Sequence, residues 1–287
     1  MPAFFGNVAQ CGFLLNAHTP VLRKLQFIFR AIRARFDILR PMIEVRQLQK
    51  SFGAQEVLKD ITFRIENGES VAIIGRSGGG KSVLLKHLIG LLQPDAGEVL
   101  IDGENIVRMN ERQLLGVRRK FGMVFQGAAL FDSMTVAENV AFGLRRHEHL
   151  TETEIARRVA ETLELVDLSG TENKNSAELS GGMRKRVGLA RAIIYEPQIV
   201  LYDEPTTGLD PIVSDSIDRL ILRVRDRLKV TTVVVTHDMR TARRVGQRVL
   251  MLHDREIYAT GTADEIFASK DAVVRQFIDG VADEKEN

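Results

Sequence analysis

The sequence contains one cysteine, no tryptophan and only three tyrosines. The single cysteine, Cys11, has no partner for an internal disulfide and leaves no cysteine framework for a structural metal site, which fits a reducing compartment. The scarcity of tryptophan and tyrosine also leaves few aromatic side chains for base stacking or for anchoring an interface. With one cysteine, the fold is not stabilised by an internal disulfide or by a metal site built from cysteines. With so few tryptophan and tyrosine residues, nucleic acid is not the expected partner.

Strong net charge and long apolar runs are missing as well. The 40 Lys and Arg residues oppose 38 Asp and Glu residues, so the formal net charge is +2 and the whole chain has no strong field toward nucleic acid or a membrane surface. No stretch approaches the roughly 18 consecutive apolar residues that span a bilayer, and no secretory signal pattern opens the chain. We therefore expect membrane contact only through partner chains.

The first 41 residues differ in charge from the rest of the chain. Against a single acidic residue, Asp37, this segment carries the basic residues Arg23, Lys24, Arg30, Arg33, Arg35 and Arg40. Between residues 21 and 38, five large apolar residues share one helical face, which is typical of a helix lying on an anionic membrane. They are Leu25, Ile28, Phe29, Ile32 and Phe36. A start codon assigned too early and a disordered leader are open alternatives, because Met42 begins a stretch that resembles an ordinary subunit start.

What the chain does contain from residue 42 onward is two kinds of predicted strand. Residues 42 to 68 alternate apolar and polar side chains between turn signals, which predicts a small antiparallel sheet. Four later runs are uniformly apolar, at 71–75, 120–126, 198–203 and 231–238, as in strands buried on both faces of a parallel sheet. Because helical patterns separate these runs, the sequence predicts a layered α/β domain with a mostly parallel sheet.

The segment from about 130 to 195 is richer in helical pattern. Ile155, Val159, Leu163 and Val166 follow one another at spacings of three and four residues, so we predict a helical subdomain inserted between two core strands. After it, two short strands flank a turn at 253–256 and helices continue to Gly280. The expected organisation is a leader at 1–41, a core domain at 42–280 and a polar tail at 281–287.

A phosphate-binding loop is the first motif that indicates chemistry. The run GRSGGGKS at 75–82 matches G-x-x-x-x-G-K-[ST] and lies between a buried strand and an apolar helical run. Its backbone N–H groups and the helix N-terminus attract phosphate, Lys81 reaches the β- and γ-phosphates of ATP, and the Ser82 hydroxyl binds Mg²⁺. The predicted ATP-binding residues here are Gly75, Arg76, Ser77, Gly78, Gly79, Gly80, Lys81 and Ser82.

The strand IVLYDE at 199–204 supplies matching acidic chemistry. Asp203 emerges at the strand end, where it can hold Mg²⁺ directly or through water. Glu204 follows it and is the better candidate to polarise an attacking water. An isolated Asp-Glu pair is more often a solvated turn, but behind a matched phosphate loop the functional interpretation is favoured.

Three single residues are weaker candidates. Gln126 ends a predicted strand and its amide can reach the metal or the water, His237 follows an apolar strand and can donate to the γ-phosphate, and Phe52 can stack on adenine. Each also has an ordinary explanation, as a strand end, a local cap or a core aromatic. Their significance depends on the other motifs.

LSGGM at 179–183 and TGLD at 207–210 complete an ordered set. With these motifs the chain resembles the ATP-binding subunit of ABC transporters, over about Met42 to Gly280. The resemblance implies a P-loop NTPase core with a small antiparallel β subdomain and a helical subdomain that carries the LSGGM signature motif. It also implies an ATPase that uses ATP and Mg²⁺, with Lys81, Glu204 and His237 as catalytic residues and Ser82, Gln126 and Asp203 as metal ligands.

The resemblance further implies that two copies of the chain act together. In that family each ATP lies between the phosphate loop of one subunit and the signature loop of the other. Ser180, Gly181 and Gly182 would therefore contact the partner's ATP, and Asp210 would couple the two sites. In agreement, SGG opens a helical run and so forms a second helix N-terminus suited to anions. Transmembrane permease subunits and a peripheral position on the cytoplasmic face of the inner membrane follow from the same resemblance.

A finer resemblance is to the ATPase of Mla-type phospholipid transporters, which work with an MCE-domain protein. It rests on Met183, where most ABC proteins have Gln, on RKRVGLARAI after it, on YDEPTTGLDPI at 202–212 and on VRQFIDG at 274–280. Two alternatives remain open. An importer ATPase for amino acids or another polar solute shares every catalytic motif, whereas a non-transport ABC ATPase usually has tandem nucleotide domains or long coiled-coil insertions, neither of which is visible in this sequence.

Overall fold

A computed structural model of the protein describes residues 42–147 and 150–281. The predicted leader, including Cys11, and the polar tail after residue 281 lie outside this range. The strands are β1 Ile43–Phe52, β2 Gln55–Ile65, β3 Ser70–Gly75, β4 Ala96–Ile101, β5 Glu104–Asn105, β6 Phe121–Val124, β7 Ile199–Asp203, β8 Thr231–Thr236, β9 Arg248–His253 and β10 Glu256–Thr262. The helices are α1 Lys81–Leu88, α2 Glu111–Arg118, α3 Val136–His147, α4 Glu152–Leu165, α5 Gly181–Ile193, α6 Pro211–Leu228, α7 Met239–Val245, α8 Ala263–Phe267 and α9 Ala272–Asp279.

The central sheet has six strands in the order β10-β9-β3-β8-β7-β6. Only the β9–β10 pair is antiparallel, and the other neighbours are parallel. Strand β3 shows why such strands are uniformly apolar: Val71 and Ile73 pack into one core cluster, whereas Ala72 and Ile74 pack into another on the opposite face. Both faces of the sheet are covered, as the four apolar runs predict.

The second sheet is antiparallel and has the order β2-β1-β4-β5. Its central strand β1 pairs Ile43 with Ile65 of β2 and with Ile101 of β4, all of them buried. Alternation of buried and exposed residues along β1 places one apolar face against the core that also contains Leu84 of α1. The predicted antiparallel β subdomain is therefore present, with two further strands, β4 and β5, that sequence analysis did not identify.

The other face of the central sheet packs against helices from the segment predicted at 130–195 and against α6. Helix α4 buries Ile155, Val159 and Leu163, and the Thr151 hydroxyl caps it by accepting a hydrogen bond from the Glu154 N–H. Helices α3, α5 and α6 contribute to the same cluster. The predicted α/β fold class is confirmed, while the exact domain boundaries stay a prediction. None of the helices in the described ranges has the length and apolar character needed to cross a membrane.

Candidate functional site

Four neighbouring parallel strands deliver the predicted site residues to one edge of the central sheet. In spatial order, β3 leads into the phosphate loop, β8 into His237, β7 into Asp203 and Glu204, and β6 toward Gln126. In open α/β sheets the carboxyl ends of the strands form the crevice where ligands bind. The sheet order thus brings together motifs that lie more than a hundred residues apart in sequence.

Two glycines give the phosphate loop its shape. A Cβ on Gly75 would lie 2.5 Å from the Leu252 carbonyl oxygen, so any side chain there would push β3 away from β9. Gly80 caps α1 with φ 94°, a left-handed conformation that favours glycine, and a Cβ would lie 2.9 Å from Leu58 Cδ2. Between them, Arg76, Ser77 and Gly78 are exposed, and the Gly79 N–H donates to the Arg76 carbonyl at 3.1 Å.

Lys81 begins α1 and points back into the loop. Its Nζ donates hydrogen bonds to the carbonyl oxygens of Gly75 (2.8 Å) and Arg76 (2.9 Å), and lies 3.8 Å from Glu204 Oε1. Burial lowers the pKa of this ammonium, and the nearby Glu204 and Asp203 carboxylates oppose that shift. The Lys81 ammonium therefore lies between the phosphate loop and the acidic end of β7.

Ser82 and Asp203 form the oxygen pair that fits Mg²⁺. The Ser82 hydroxyl donates to Asp203 Oδ1 at 2.8 Å, and burial raises the pKa of Asp203 while this hydrogen bond opposes the shift. Within the described ranges no group of three or more His, Cys, Asp and Glu side chains could hold a metal alone. Mg²⁺ needs few protein oxygens, because it takes its other ligands from substrate phosphates and water.

Glu204 is held by several contacts in an unusual backbone conformation. Its φ of 50° is left-handed, a state that costs a non-glycine residue about 1–2 kcal/mol and persists where the surroundings impose it. The Glu204 N–H donates to the Val235 carbonyl at 2.9 Å. Its Oε2 accepts from Thr207 Oγ1 at 3.1 Å and lies 2.8 Å from His237 Nδ1. The His237 backbone N–H also donates to Glu204 Oε2, at 3.4 Å, so these two candidates form one unit.

The signature residues lie at a separate helix N-terminus. Ser180 caps α5 by accepting from the Met183 N–H at 3.3 Å. A Cβ on Gly182 would lie 2.7 Å from Val213 Cγ1, and one on Gly181 would lie 3.3 Å from Leu209 Cδ2. These glycines therefore let α5 start close against α6 and the loop before it.

Asp210 lies at the start of that neighbouring helix. Its Oδ1 caps α6 by accepting from the N–H groups of Ile212 (2.9 Å) and Val213 (3.0 Å). Because Val213 also packs on Gly182, the cap of α6 and the signature glycines form one local arrangement. The predicted role of Asp210 in coupling two sites stays a prediction.

Gln126 and Phe52 lie at the margins of the crevice. Strand β6 ends at Val124, before Gln126, because the chain turns there with the Ala128 N–H donating to the Phe125 carbonyl. Gln126 is exposed. Phe52 ends β1 with 47% of its surface exposed, and Lys50 Nζ lies 5.4 Å from its ring centroid. Their predicted ligand contacts stay predictions.

The structure places two further groups at this site that were not predicted from the sequence. Thr207 donates to Glu204, and Lys185 of α5 reaches the loops after β6 and β7. A signal existed for Lys185, since it shares one helical face with the buried residues Gly188, Leu189 and Ala192. A lysine at such a position indicates a specific buried partner.

A buried carboxylate, also missed, lies behind the loop that follows Glu204. Asp218 of α6 is 3% exposed. Its Oδ2 accepts from Thr241 Oγ1 at 3.2 Å, Thr241 Oγ1 lies 3.2 Å from Thr206 Oγ1, and Asp218 Oδ1 has no partner. Burial raises the pKa of Asp218 from 3.8 to about 6.

We expect Asp218→Asn to change stability in a pH-dependent way. The folded state holds the Asp218 proton more tightly than the unfolded chain, so the free energy of unfolding should fall as pH rises from about 4 to about 6. Asn carries no charge to desolvate, so the variant should gain about 1–3 kcal/mol relative to the native protein above pH 6. Urea unfolding at pH 4.5 and pH 8 measures this, with the exposed Asp264→Asn as control. A difference that is the same at both pH values would contradict the prediction.

Comparisons with known proteins agree with this geometry. The family model described as ABC transporter matches residues 58–207. A probable ribonucleotide transport ATP-binding protein of Mycobacterium leprae is 44% identical over 238 residues, which cover 83% of this chain and 69% of that protein. An intermembrane phospholipid transport system ATP-binding protein of Escherichia coli is 40% identical over 242 residues, which cover 84% of this chain and 90% of that protein.

The fold agrees with solved structures as well. A dimeric ATP-binding cassette, in a post-hydrolysis state with bound ADP and Pi, is 33% identical and superposes with a TM-score of 0.71. The superposition covers 77% of this chain and 99% of that one.

Proposed function

This chain belongs to the ABC transporter family as an ATP-hydrolysing subunit of a transporter, and on that premise we propose that two copies of it drive phospholipid transport. The observation that supports the cargo is the 40% identity to a phospholipid transport ATP-binding protein, sustained over 90% of that protein's length. The Met183 signature and the YDEPTTGLDPI run point to the same class.

Each residue at the carboxyl ends of the central strands has a proposed role in ATP hydrolysis. The loop amides, the N-terminus of α1 and Lys81 bind and orient the phosphates. Ser82 and Asp203 would hold Mg²⁺ together with Gln126, and when bound the ion neutralises charge on the β- and γ-phosphates. Glu204 orients the attacking water and accepts its proton. His237 holds the Glu204 carboxylate through its backbone N–H at 3.4 Å, and its ring would donate to the γ-phosphate.

Two chains would form two composite sites. The N-terminus of α5, with Ser180, Gly181 and Gly182, is a second anion-binding terminus distinct from the one at Gly80. We assign it to the γ-phosphate bound by the partner copy, with Asp210 coupling the sites. In support, a solved relative of this fold is a dimer with bound ADP and Pi.

The proposed cargo implies which partners the pair binds and at which membrane face it acts. The pair would bind transmembrane permease subunits at the cytoplasmic face of the inner membrane, and the complex would include an MCE-domain lipid-binding protein. The rival cargo is a polar solute, and one observation favours it: the Mycobacterium leprae relative, 44% identical, is named for probable ribonucleotide transport.

Isolation of the native membrane complex tests the cargo. We expect the full chain to co-elute with permease subunits and an MCE-domain protein, and phospholipid to be extracted from the purified complex. ATPase activity of the complex should rise in phospholipid vesicles and remain unchanged when ribonucleoside monophosphates, which have no γ-phosphate to hydrolyse, are added. A co-eluting amino-acid-binding protein, or stimulation by ribonucleoside monophosphates, would overturn the lipid assignment.

A further inference from the structure

Lys185 lies in the second turn of α5, the helix that starts at the signature motif. It is buried, with 8% of its surface exposed. Its Nζ donates to the main-chain carbonyl oxygen of Gln126 at 2.5 Å and to that of Glu204 at 3.3 Å. One ammonium therefore contacts the loops that carry two of the candidate site residues.

Sheet register explains how a single side chain reaches both loops. Strands β6 and β7 are parallel neighbours, and Val124 pairs with Tyr202. Gln126 and Glu204 each come two residues after that pair, so both loops leave the sheet at the same level. Helix α5 crosses this edge and contacts β6, which brings Lys185 over both carbonyls.

Stability alone is a poor explanation for a lysine at this position. Burial lowers the pKa of Lys185, and the Glu204 and Asp203 carboxylates only partly offset this effect. Buried charges are often no more stabilising than apolar residues of similar volume. An unbranched apolar residue such as methionine would fill the space without the desolvation cost, so the ammonium contributes something that packing does not.

We propose that Lys185 is a positioning residue for ATP hydrolysis, tying the signature helix to the loops of Gln126 and Glu204. Ser180 caps the same helix five residues earlier. When Ser180 contacts the γ-phosphate bound by the partner copy, that contact fixes the position of α5. Lys185, on the same helix, then fixes the loop that carries Glu204 of its own subunit. The inference rests on the proposed role of Glu204 in hydrolysis.

The test compares substitutions of Lys185 in the full chain by steady-state ATPase kinetics and ATP binding. Lys185→Met keeps the length and removes the charge and the donors, and we expect kcat to fall about 30–100-fold because a displaced catalytic group costs on the order of 10²-fold. The KM for ATP should change less than about threefold, since the phosphate loop is intact. Lys185→Gln keeps two N–H donors and should recover a large part of kcat. Lys174→Met removes the same charge from an exposed site in the helical segment and should match the native enzyme.

Parallel assays of the native chain and of Glu204→Gln separate a failure of the Lys185 proposal from a failure of the proposed role of Glu204. If Lys185→Met folds poorly, Lys185→Leu, which also lacks N–H donors, carries the comparison, with a kcat below the native value at unchanged KM supporting the proposal. A native kcat in whichever of these two variants folds overturns it, as does a loss of kcat matched by an equal loss of ATP affinity and of thermal stability. If the native chain hydrolyses ATP and Glu204→Gln does so equally well, the role of Glu204 fails instead.

Discussion

Substitution of Glu204 by Gln is expected to abolish ATP turnover while the protein still binds ATP. Gln has nearly the same shape, and its amide oxygen can still accept from Thr207 Oγ1, but it cannot take a proton from water. Loss of a general base typically costs 10²–10⁴-fold in rate. Because Lys81 and the phosphate loop are untouched, the ATP-bound state should accumulate as a pair of chains.

Two measurements check this expectation. Single-turnover assays report the chemical step, and size-exclusion chromatography with light scattering reports the ATP-dependent dimer. Glu161→Gln is a suitable control, since Glu161 lies on α4 with 58% of its side chain exposed. Hydrolysis by Glu204→Gln at the native rate would remove Glu204 from the mechanism, and a variant that stays monomeric with ATP would contradict the composite sites.

Substitution of Lys81 by Ala is expected to weaken ATP binding about 10–100-fold and to reduce turnover with it. The side chain supplies a buried positive charge beside the phosphate loop, and hydrogen bonds to charged groups contribute about 1.5–3 kcal/mol each. The substitution also leaves the Gly75 and Arg76 carbonyls without the Lys81 donor. Part of the loss should therefore come from a loosened loop.

Isothermal titration with ATP measures the affinity, and thermal unfolding without nucleotide measures the contribution of the loop. Lys86→Ala removes an exposed lysine from the same helix and should bind ATP like the native protein. Retained affinity in Lys81→Ala would show that the loop amides bind the phosphates without the ammonium.

The local pattern of apolar residues predicted several strands and helices, because the signals for these elements lie within short stretches of the chain. Uniform apolar runs identified β3, β6, β7 and β8 from the requirement that both faces be buried. The spacing of Ile155, Val159 and Leu163 identified the buried face of α4. Strands β4 and β5 were missed, since β5 has only two residues and β4 depends on pairing with the distant strand β1.

The contacts at the candidate site likewise divide into those that the sequence predicts and those that it does not. The phosphate loop is one continuous motif, so its residues and their chemistry can be recognised in sequence. The contact between Glu204 and His237 joins residues from two different strands, and the bond from Lys185 to Gln126 spans 59 positions. No local pattern encodes such distances.

The sequence by itself therefore predicted the chemistry proposed for this protein: a phosphate loop, an oxygen pair suited to magnesium, a carboxylate base for water and a second helix terminus for anions. Only the tertiary structure decided how these parts are connected. The order β3-β8-β7-β6 places four strand ends side by side, and the register between β6 and β7 puts two loops within reach of Lys185. The physical reason is that motif chemistry depends on neighbouring residues, whereas strand order and register are set by packing between segments far apart in the chain.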